Sequence, residues 1–479
     1  MTDVTTQSSL TLSARLAEFA VATAAELPQR IADDSRDRLI DTVGISIAAR
    51  DTEPVQAAVA LAREWGGNPQ ATLLGFADRV PAPTAALVNG TAAHALDFDD
   101  THLPSILHPS ASAVPAALAA AEVADVDGRT LLAAVAAGNE IAIRLGNAAD
   151  DPELGNNVFF ERGIHATSLC GAIGSAAAAA VALGLDAATT RHALGIAASM
   201  GSGILEANRN GGSVKRVHCG WAAHAGVTAA QFARQGITAP DTVLEGRFGF
   251  FQAFTGLHPI DEGFMAGLGE EWELDKCFIK PYPTNVFTHT GIDAAMLLSK
   301  RGIDIDSIER IDLSVPMSVT RTIAEPREAK LRPQSPYHAQ FSGPLTFAMA
   351  WRGGSGLGLY LDDFTQEVLD DPFVRTLSEK VHYVRDEKVE SLYPERLPTI
   401  ARVHMADGSV IEERVMANLG TALRPIQPEQ VQLKFDLNVR ALGEQRAGAL
   451  RDAITGLDGA ASVRSVFSGL DFAESNSAA

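Results

Sequence analysis

From residue 13 to residue 235 the chain repeats one pattern, in which apolar residues recur every three or four positions opposite acidic and arginine side chains. This periodicity is typical of amphipathic α-helices. The apolar faces are rich in alanine and glycine, so the helix axes can approach closely. The predicted helices cover residues 13–27, 31–50, 54–66, 82–96, 112–124, 130–147, 166–183, 187–199 and 215–235. Strands do not alternate with these helices, which argues against a doubly wound nucleotide-binding fold.

The pattern changes near residue 276. A helix is predicted at about 288–301, and residues 308–315 alternate apolar and polar side chains as a half-buried strand does. A second alternating stretch, 399–415, is interrupted by Asp407-Gly408, a dipeptide typical of hairpin turns. This part of the chain is therefore predicted to be α+β.

Helical periodicity returns after Pro428 and continues into a polar tail that ends in SNSAA. We therefore predict a mainly α fold, with a large all-helical domain formed by both chain ends and an inserted smaller α+β lid domain. The predicted limits are 1–275 for the helical domain, 276–428 for the lid domain and 429–479 for the C-terminal helices and tail.

Composition and charge restrict the partners of this chain. Hydrophobic residues make up 46% and charged residues 20%, as in an ordinary folded protein. The 39 basic and 59 acidic residues give a formal charge of −20, which would repel a phosphate backbone, so we expect no nucleic-acid partner. The stretch 166–185 carries no charge but is mostly alanine, glycine and serine. It therefore predicts a closely packed buried helix rather than a membrane span.

The cysteines and the N-terminus bear on the cellular compartment. Cys170, Cys219 and Cys277 lie far apart and form no CxxC pair, so they indicate neither a disulfide framework nor a zinc site. The first residues, MTDVTTQSSLTLS, lack the basic and apolar segments of a secretory signal. We expect a cytoplasmic protein.

The densest group of ionisable side chains lies between residues 94 and 108. Three carboxylates and three imidazoles fall within these fifteen residues: His94, Asp97, Asp99, Asp100, His102 and His108. Such a group can serve proton transfer, or it can be the polar end of a helix with capping aspartates. The residue types could bind a metal, but no recognised motif such as HExxH is present, and we predict no metal site.

Three further segments carry candidate functional residues. Lys215 and Arg216 follow a glycine pair and open a predicted helix, where the positive helix end favours a carboxylate. Lys280 lies where the second domain is predicted to begin, and His165 precedes the alanine-rich helix. Each alone could be a surface or capping residue. Together with the first group they would supply the groups needed for proton transfer beside a bound polycarboxylate.

These segments, in this order, resemble the MmgE/PrpD family. The matching stretches are NGTAAHALDFDDTH at 89–102, HPSAS at 108–112, GIHATS at 163–168, GGSVKRVHCGWAAHAG at 211–226, TAPDTVLEGRFGFFQAF at 238–254 and KPYPTN at 280–285. The resemblance extends over essentially the whole chain. It implies a large helical domain with a smaller α+β lid, a homodimer, and chemistry without a cofactor on small di- or tricarboxylates. The activities known for the family are 2-methylcitrate dehydration, cis-aconitate decarboxylation and iminodisuccinate epimerisation.

The resemblance also implies roles for particular residues. Its functional positions match Asp97, Thr101, His108, His165, Lys215 and Lys280. Removing a proton next to a carboxylate creates a dianion, whose new charge Lys215, Lys280 and Arg216 would stabilise. His165 and His108 would exchange protons with the substrate, and Asp97 would orient or activate one of them. The candidate catalytic residues are therefore Asp97, His108, His165, Lys215 and Lys280, and the candidate substrate-binding residues are Thr101, Arg216 and Asn285.

The sequence departs from the best-known branches of this family. Where the cis-aconitate decarboxylases have a histidine shortly after the KPYP-type lysine, this chain has Asn285, and their tyrosine is missing from the segment AQFSGPL at 339–345. The dehydratases tend to carry DFNDTW and EWGHPSDN, which DFDDTHLPSILHPSAS matches poorly. We predict a hydro-lyase of the 2-methylcitrate dehydratase type. An epimerase or isomerase of a dicarboxylate is the alternative, ahead of a cis-aconitate decarboxylase or a non-catalytic carboxylate-binding protein.

Overall fold

The computed structural model describes residues 10–151, 153–154, 156–207, 212–257, 262–470 and 472. The first nine residues, the first glycine of the 211–226 motif and the predicted polar tail lie outside the described residues. The chain divides into two compact units. Unit 1 comprises 1–95, 105–275 and 438–479, and unit 2 comprises 96–104 and 276–437. The predicted domain limits of 1–275, 276–428 and 429–479 stay a prediction.

Helices form most of the described chain. In chain order they are α1 (Leu12–Ala25), α2 (Gln29–Ala48), α3 (Glu53–Trp65), α4 (Ala82–His94), α5 (Ser110–Ala124), α6 (Gly128–Asn147), α7 (Val158–Glu161), α8 (Ala166–Ala182), α9 (Ala187–Met200), α10 (His218–Arg234), α11 (Phe250–Phe254), α12 (His289–Ser299), α13 (Met317–Ile323), α14 (Arg327–Leu331), α15 (Pro336–Ala339), α16 (Gly343–Arg352), α17 (Gln366–Asp370), α18 (Pro372–Lys380), α19 (Glu387–Glu390), α20 (Pro428–Val439), α21 (Glu444–Thr455) and α22 (Val463–Ser468).

Strands are short and few among the described residues. They are β1 (Ala71–Thr72), β2 (Arg79–Val80), β3 (Thr101–His102), β4 (Asp150–Asp151), β5 (Asn156–Asn157), β6 (Cys277–Phe278), β7 (Ile308–Ser314), β8 (Val381–Tyr383), β9 (Thr399–Met405) and β10 (Val410–Val415). The prediction of a mainly α fold with a small sheet-containing part is confirmed.

Small side chains set the close packing of unit 1. A Cβ atom added to Gly174 of α8 would lie 2.4 Å from the carbonyl oxygen of Gly138 in α6. The two helices therefore touch through their backbones, as the alanine and glycine content predicts. Every residue of α8 is buried, so the prediction of a buried helix in the charge-free stretch is confirmed. In the part of the chain that the structure describes, no helix combines the length and apolar character of a membrane span.

Unit 2 contains the one larger sheet of the described residues, with strand order β10-β9-β7-β8. β7 pairs antiparallel with β9 and parallel with β8. β9 and β10 form the predicted hairpin, and Gly408 has a φ of 84° in its turn, a conformation that glycine adopts without a steric cost. Buried residues of β7 and β9, among them Ile311 and Val403, join a core with Phe347 of α16.

Residues 96–104 belong to unit 2, although helices of unit 1 precede and follow them. β3 in this segment pairs antiparallel with β6, with Thr101 opposite Phe278 and His102 opposite Cys277. Leu103 packs against the buried cluster that contains Phe278. Backbone pairing and apolar contact therefore both hold this segment in unit 2.

Candidate active site

Two helices in unit 1 carry a buried histidine at one end. His94 is the last residue of α4, and His218 is the first residue of α10. The helices cross where Gly90 meets Gly220, and a Cβ atom on Gly220 would lie 2.2 Å from the carbonyl oxygen of Leu87. Only a residue without a Cβ permits this approach, so the packing of α4 against α10 fixes both histidines.

Two further histidines come from the segments that lead into helices. The backbone N–H of His108, just before α5, donates a hydrogen bond to Thr167 Oγ1 at 3.2 Å. His165 is the N-cap of α8, and its N–H donates to the carbonyl oxygen of Gly203 at 3.0 Å. Since Thr167 lies in the first turn of α8, the start of this helix holds both histidines.

The four imidazoles form a continuous cluster. Ring centroids are 5.4 Å apart for His94 and His108, 5.4 Å for His94 and His165, and 5.1 Å for His165 and His218. The Nδ1 atoms of His165 and His218 lie 3.0 Å apart, so one donates a hydrogen bond to the other. His94, His165 and His218 are buried, and His108 is half-buried. Because two rings share a hydrogen bond, their protonation states are coupled.

Burial keeps two of these rings neutral. Burial lowers the pKa of His165 well below its ordinary value of 6.5, and electrostatic interactions with His94 and Lys215 lower it further. Burial also lowers the pKa of His218 to about 4, again with contributions from His94 and Lys215. At neutral pH both imidazoles therefore keep a lone pair that can accept a proton. This is the state that a general base requires.

Lys215 supplies positive charge beside this cluster. Lys215 and Arg216 lie in the 3-10 turn Val214–Val217, directly before α10, and both are half-buried. The positive charge of Lys215 lowers the pKa values of both His165 and His218. A cation here disfavours protonated imidazoles and favours bound anions.

Unit 2 holds a buried ion pair made by two predicted residues. Lys280 Nζ donates to the carbonyl oxygen of Asp97 at 2.9 Å and lies 3.4 Å from Asp97 Oδ2. Lys280 is 1% exposed and Asp97 is 2% exposed. Removing either partner would leave an uncompensated buried charge, which is strongly destabilising. Each residue of this pair therefore depends on the other for its stability in the buried state.

The predicted substrate-binding residues of unit 2 have structural partners. Thr101 is buried in β3. Asn285 caps the short 3-10 helix Val286–Thr288, since its Oδ1 accepts a hydrogen bond from the N–H of Phe287 at 3.1 Å. The N–H of Asn285 donates to the carbonyl oxygen of Gln340 at 2.9 Å. Asn285 thus ties the segment that follows Lys280 to the 339–345 segment.

The eight predicted site residues fall into two groups. His108, His165, Lys215 and Arg216 lie in unit 1, and Asp97, Thr101, Lys280 and Asn285 lie in unit 2. His94 and His218 join the cluster without having been predicted as site residues. The spacing of His218 three residues after Lys215 was a signal that could have found it, because residues three apart in a helix share a face.

The three cysteines and the metal-binding residue types have the following places in the structure. Cys170, Cys219 and Cys277 are free and buried. Within the described ranges, no group of three or more His, Cys, Asp or Glu side chains is arranged to hold a metal ion.

Comparison with known proteins gives matches along most of the chain. The MmgE/PrpD N-terminal domain matches residues 14–262, and the MmgE/PrpD C-terminal domain matches residues 282–458. Cis-aconitate decarboxylase of Homo sapiens is 30% identical over 434 residues, which are 86% of this chain and 84% of that protein. Cis-aconitate decarboxylase of Aspergillus terreus is 29% identical over 404 residues, 81% of this chain and 80% of that protein.

Proposed function

The chain belongs to the MmgE/PrpD family of enzymes, and we propose that it is a lyase that transfers protons at a carbon next to a carboxylate of a small di- or tricarboxylate. The observation that carries this proposal is the cluster of four imidazoles in unit 1, in which burial keeps His165 and His218 neutral beside Lys215. Such a cluster provides acid–base groups and a cation from the chain's own side chains.

His165 is the proposed base. Its Nδ1 is engaged with Nδ1 of His218, so Nε2 is the nitrogen that takes the proton from the substrate carbon. For Nε2 of His165 to have a lone pair, its Nδ1 must carry the proton and donate it to His218. His218 therefore fixes the tautomer and the orientation of the base, as a hydrogen-bonded partner does in other acid–base sites.

Lys215 is the proposed electrostatic partner of this step. When the carbon loses its proton, the adjacent carboxylate gains a second negative charge, and a fixed cation stabilises that charge most where water is excluded. Its charge lowers the pKa of His165, and the turn that carries it leads directly into His218, so Lys215 is the cation proposed to stabilise this charge. Arg216 in the same turn is proposed to bind a second carboxylate of the substrate.

The specific reaction that we propose is dehydration, with the pattern of 2-methylcitrate dehydratase. The electrons of the broken C–H bond form the new double bond, the C–O bond breaks, and His108 donates the proton with which the hydroxyl group leaves as water. The family resemblance implies that the decarboxylases have a histidine where this chain has Asn285, and its absence here supports dehydration over decarboxylation. The side-chain oxygen of Asn285 caps a turn, and a neutral amide does not exchange protons as an imidazole does.

A second candidate is decarboxylation of cis-aconitate. It is favoured by the relatives from Homo sapiens and Aspergillus terreus, which carry that name and align over most of this chain. In that reaction a C–C bond breaks, carbon dioxide leaves, and a histidine protonates the carbon that keeps the electron pair.

The Asp97–Lys280 pair is proposed to be required for turnover in either reaction.

A proton NMR time course in deuterated water tests both candidates. The chelator-treated protein is incubated separately with 2-methylcitrate, citrate, cis-aconitate and iminodisuccinate, next to the variants His165→Gln and His192→Gln. His192 lies on α9 and accepts a hydrogen bond from the N–H of Ala239, so it is a matched imidazole outside the cluster. Loss of the base should lower the rate about 10²- to 10⁴-fold, and His192→Gln should turn over at the parent rate.

The product identifies the reaction. A new vinyl signal from a hydroxy acid supports the dehydratase, and a decarboxylated product from cis-aconitate supports the second candidate and overturns the first. Deuterium entering an otherwise unchanged iminodisuccinate would identify an epimerase and contradict the lyase. Turnover that survives His165→Gln would contradict the role of the histidine cluster, and no change in any of the four compounds would overturn the proposal as stated.

A further inference from the structure

Two buried lysines of unit 2 bind consecutive carbonyl groups of the segment 96–104. Lys280 Nζ donates to the carbonyl oxygen of Asp97 at 2.9 Å, and Lys434 Nζ donates to the carbonyl oxygen of Phe98 at 2.9 Å. Lys434 lies on α20 and is 2% exposed. Its ammonium group also lies 3.8 Å from the centre of the Phe98 ring, an attractive cation–π distance. The two lysines thus bind the backbone carbonyl groups of residues 97 and 98, and Lys434 also contacts the ring of Phe98.

The backbone at this point needs such support. Asp97 has a φ of 52°, in the left-handed region, which is common for glycine, occasional for asparagine and aspartate, and rare for other residues. A residue in a sparsely populated conformation persists only where its surroundings enforce it. Hydrogen bonds from charged donors are about twice as strong as neutral ones. The two lysines are therefore suited to hold Asp97 in this conformation.

The charge of Lys434 also acts on His289, a buried histidine that Lys280 and Asp97 influence as well. His289, the first residue of α12, has a pKa that burial lowers to about 3, with Lys280 and Lys434 lowering it and Asp97 opposing them. The two ammonium groups and the Asp97 carboxylate are thus all close enough to act on one buried ring. Lys434 belongs to this group and is not an isolated core lysine.

We propose that Lys434 is a positioning residue, which fixes the backbone at Asp97 and Phe98 and so orients the Asp97 carboxylate for turnover. Lys434 acts through Asp97 and has no contact with the substrate in this proposal. Lys280 holds the carbonyl and lies near the carboxylate of Asp97, whereas Lys434 holds the next carbonyl, so the two lysines together define the direction of the side chain. The inference rests on the proposed requirement for Asp97 in the reaction.

The test compares Lys434→Met with Lys380→Met. Lys380, at the end of α18 in the same unit, is half-buried, and its Nζ donates to the carbonyl oxygens of Ile305 and Ile308 at 2.9 and 2.6 Å. Both changes remove a lysine that binds backbone carbonyls, but only the first one touches the Asp97 segment. We expect Lys434→Met to lower kcat about ten- to a hundredfold with KM changed less than twofold, and Lys380→Met to leave both constants unchanged.

A double-variant comparison separates positioning from general damage. In an Asp97→Asn background, which keeps the tolerance for a left-handed conformation and is measured at a temperature where circular dichroism shows it folded, Lys434→Met should lower kcat little further, because the group that it orients is already lost. Equal factors in both backgrounds would overturn the proposal. So would a kcat for Lys434→Met that is no lower than that of Lys380→Met.

Hydrogen exchange supplies a readout that does not depend on substrate. We expect amides of residues 96–104 to exchange faster in Lys434→Met than in the parent protein, and to be unchanged in Lys380→Met. Unchanged exchange in this segment would refute the proposed hold on the backbone. Faster exchange with parent-level kcat would refute positioning while the proposed function stands, and parent-level kcat in Asp97→Asn alone would refute the required role of Asp97.

Discussion

Protonation of the histidine cluster should make unit 1 unstable in acid, and His218 allows the effect to be estimated. The ring is 9% exposed, and its pKa falls from an ordinary 6.5 to about 4 on folding. Between these two values the unfolded chain binds a proton at His218 that the folded chain does not bind. Stability therefore decreases as the pH falls through 6.5 and stops decreasing below about 4, where the folded state also binds the proton.

The size of this loss follows from the two pKa values. Proton uptake by the unfolded state, minus that by the folded state, gives a loss of about 2 kcal/mol between pH 7.5 and pH 5 from His218 alone. His165, whose pKa is also lowered by burial, adds a loss of the same sign. In His218→Gln the ring cannot titrate, so the decrease in the free energy of unfolding over this interval should be about 2 kcal/mol smaller than in the parent protein.

Urea unfolding at pH 7.5 and pH 5, followed by tryptophan fluorescence, measures this difference. Three of the four tryptophans, Trp65, Trp221 and Trp272, lie in unit 1, so the signal is dominated by that unit. His192→Gln serves as the control for loss of an imidazole outside the cluster. A decrease in acid that is as large in His218→Gln as in the parent, with the same dependence on urea concentration in both, would contradict a lowered pKa of His218.

Other consequences of the structure can be measured independently. Because the pKa of His165 lies well below 6.5, kcat/KM should not fall as the pH is lowered from 7.5 to 6, and a fall centred near 6.5 would contradict His165 as the base. Arg144→Met removes the buried partner of Glu140 and a donor to three backbone carbonyls, so it should lower the free energy of unfolding by about 3–5 kcal/mol, as urea unfolding would show. Trp221 is 42% exposed and Phe232 is 48% exposed on α10, eleven residues apart and hence on one face. We propose that the chain forms a homodimer through this face, so light scattering should find a lower mass for Trp221→Arg than for the parent protein; equal masses would contradict this placement.

Local periodicity predicted the elements of this fold because each element has its own repeat. The strand predicted at 308–315 is β7, and the four-residue connection that contains Asp407-Gly408 separates β9 from β10. The helix predicted at about 288–301 is α12, with residues 289–299. In each case alternation or a three- to four-residue spacing is a property of neighbouring residues, and the chain displays it wherever one face is buried.

Local periodicity could not predict that residues 96–104 belong to unit 2. These residues follow a predicted helix of the first half, yet they belong to unit 2 through the β3–β6 pair and the two lysine contacts. The contact of Lys280 with Asp97 joins residues 183 positions apart, and that of Lys434 with Phe98 joins residues 336 positions apart. No repeat in the sequence indicates contacts at such separations. Lys280 was identified by its place at the predicted start of the second domain and by the family resemblance, and nothing identified Lys434.

The lowered pKa values of the histidine cluster depend on glycines that take no part in proton transfer. Gly220 has no Cβ, and this permits α10 to meet α4 at Gly90. Gly203 has a φ of 134°, and a Cβ atom on it would lie 3.3 Å from Nδ1 of His218. These contacts bury the imidazoles, and burial is the largest cause of the lowered pKa of both His165 and His218. A Gly220→Ala variant should therefore separate α4 from α10 and raise the pKa of His218 toward 6.5, because water would reach the ring. Proton NMR titration of the His218 ring measures this shift directly; a pKa that stays near 4 while the helices separate would show that neighbouring charge, and not burial, keeps His218 neutral.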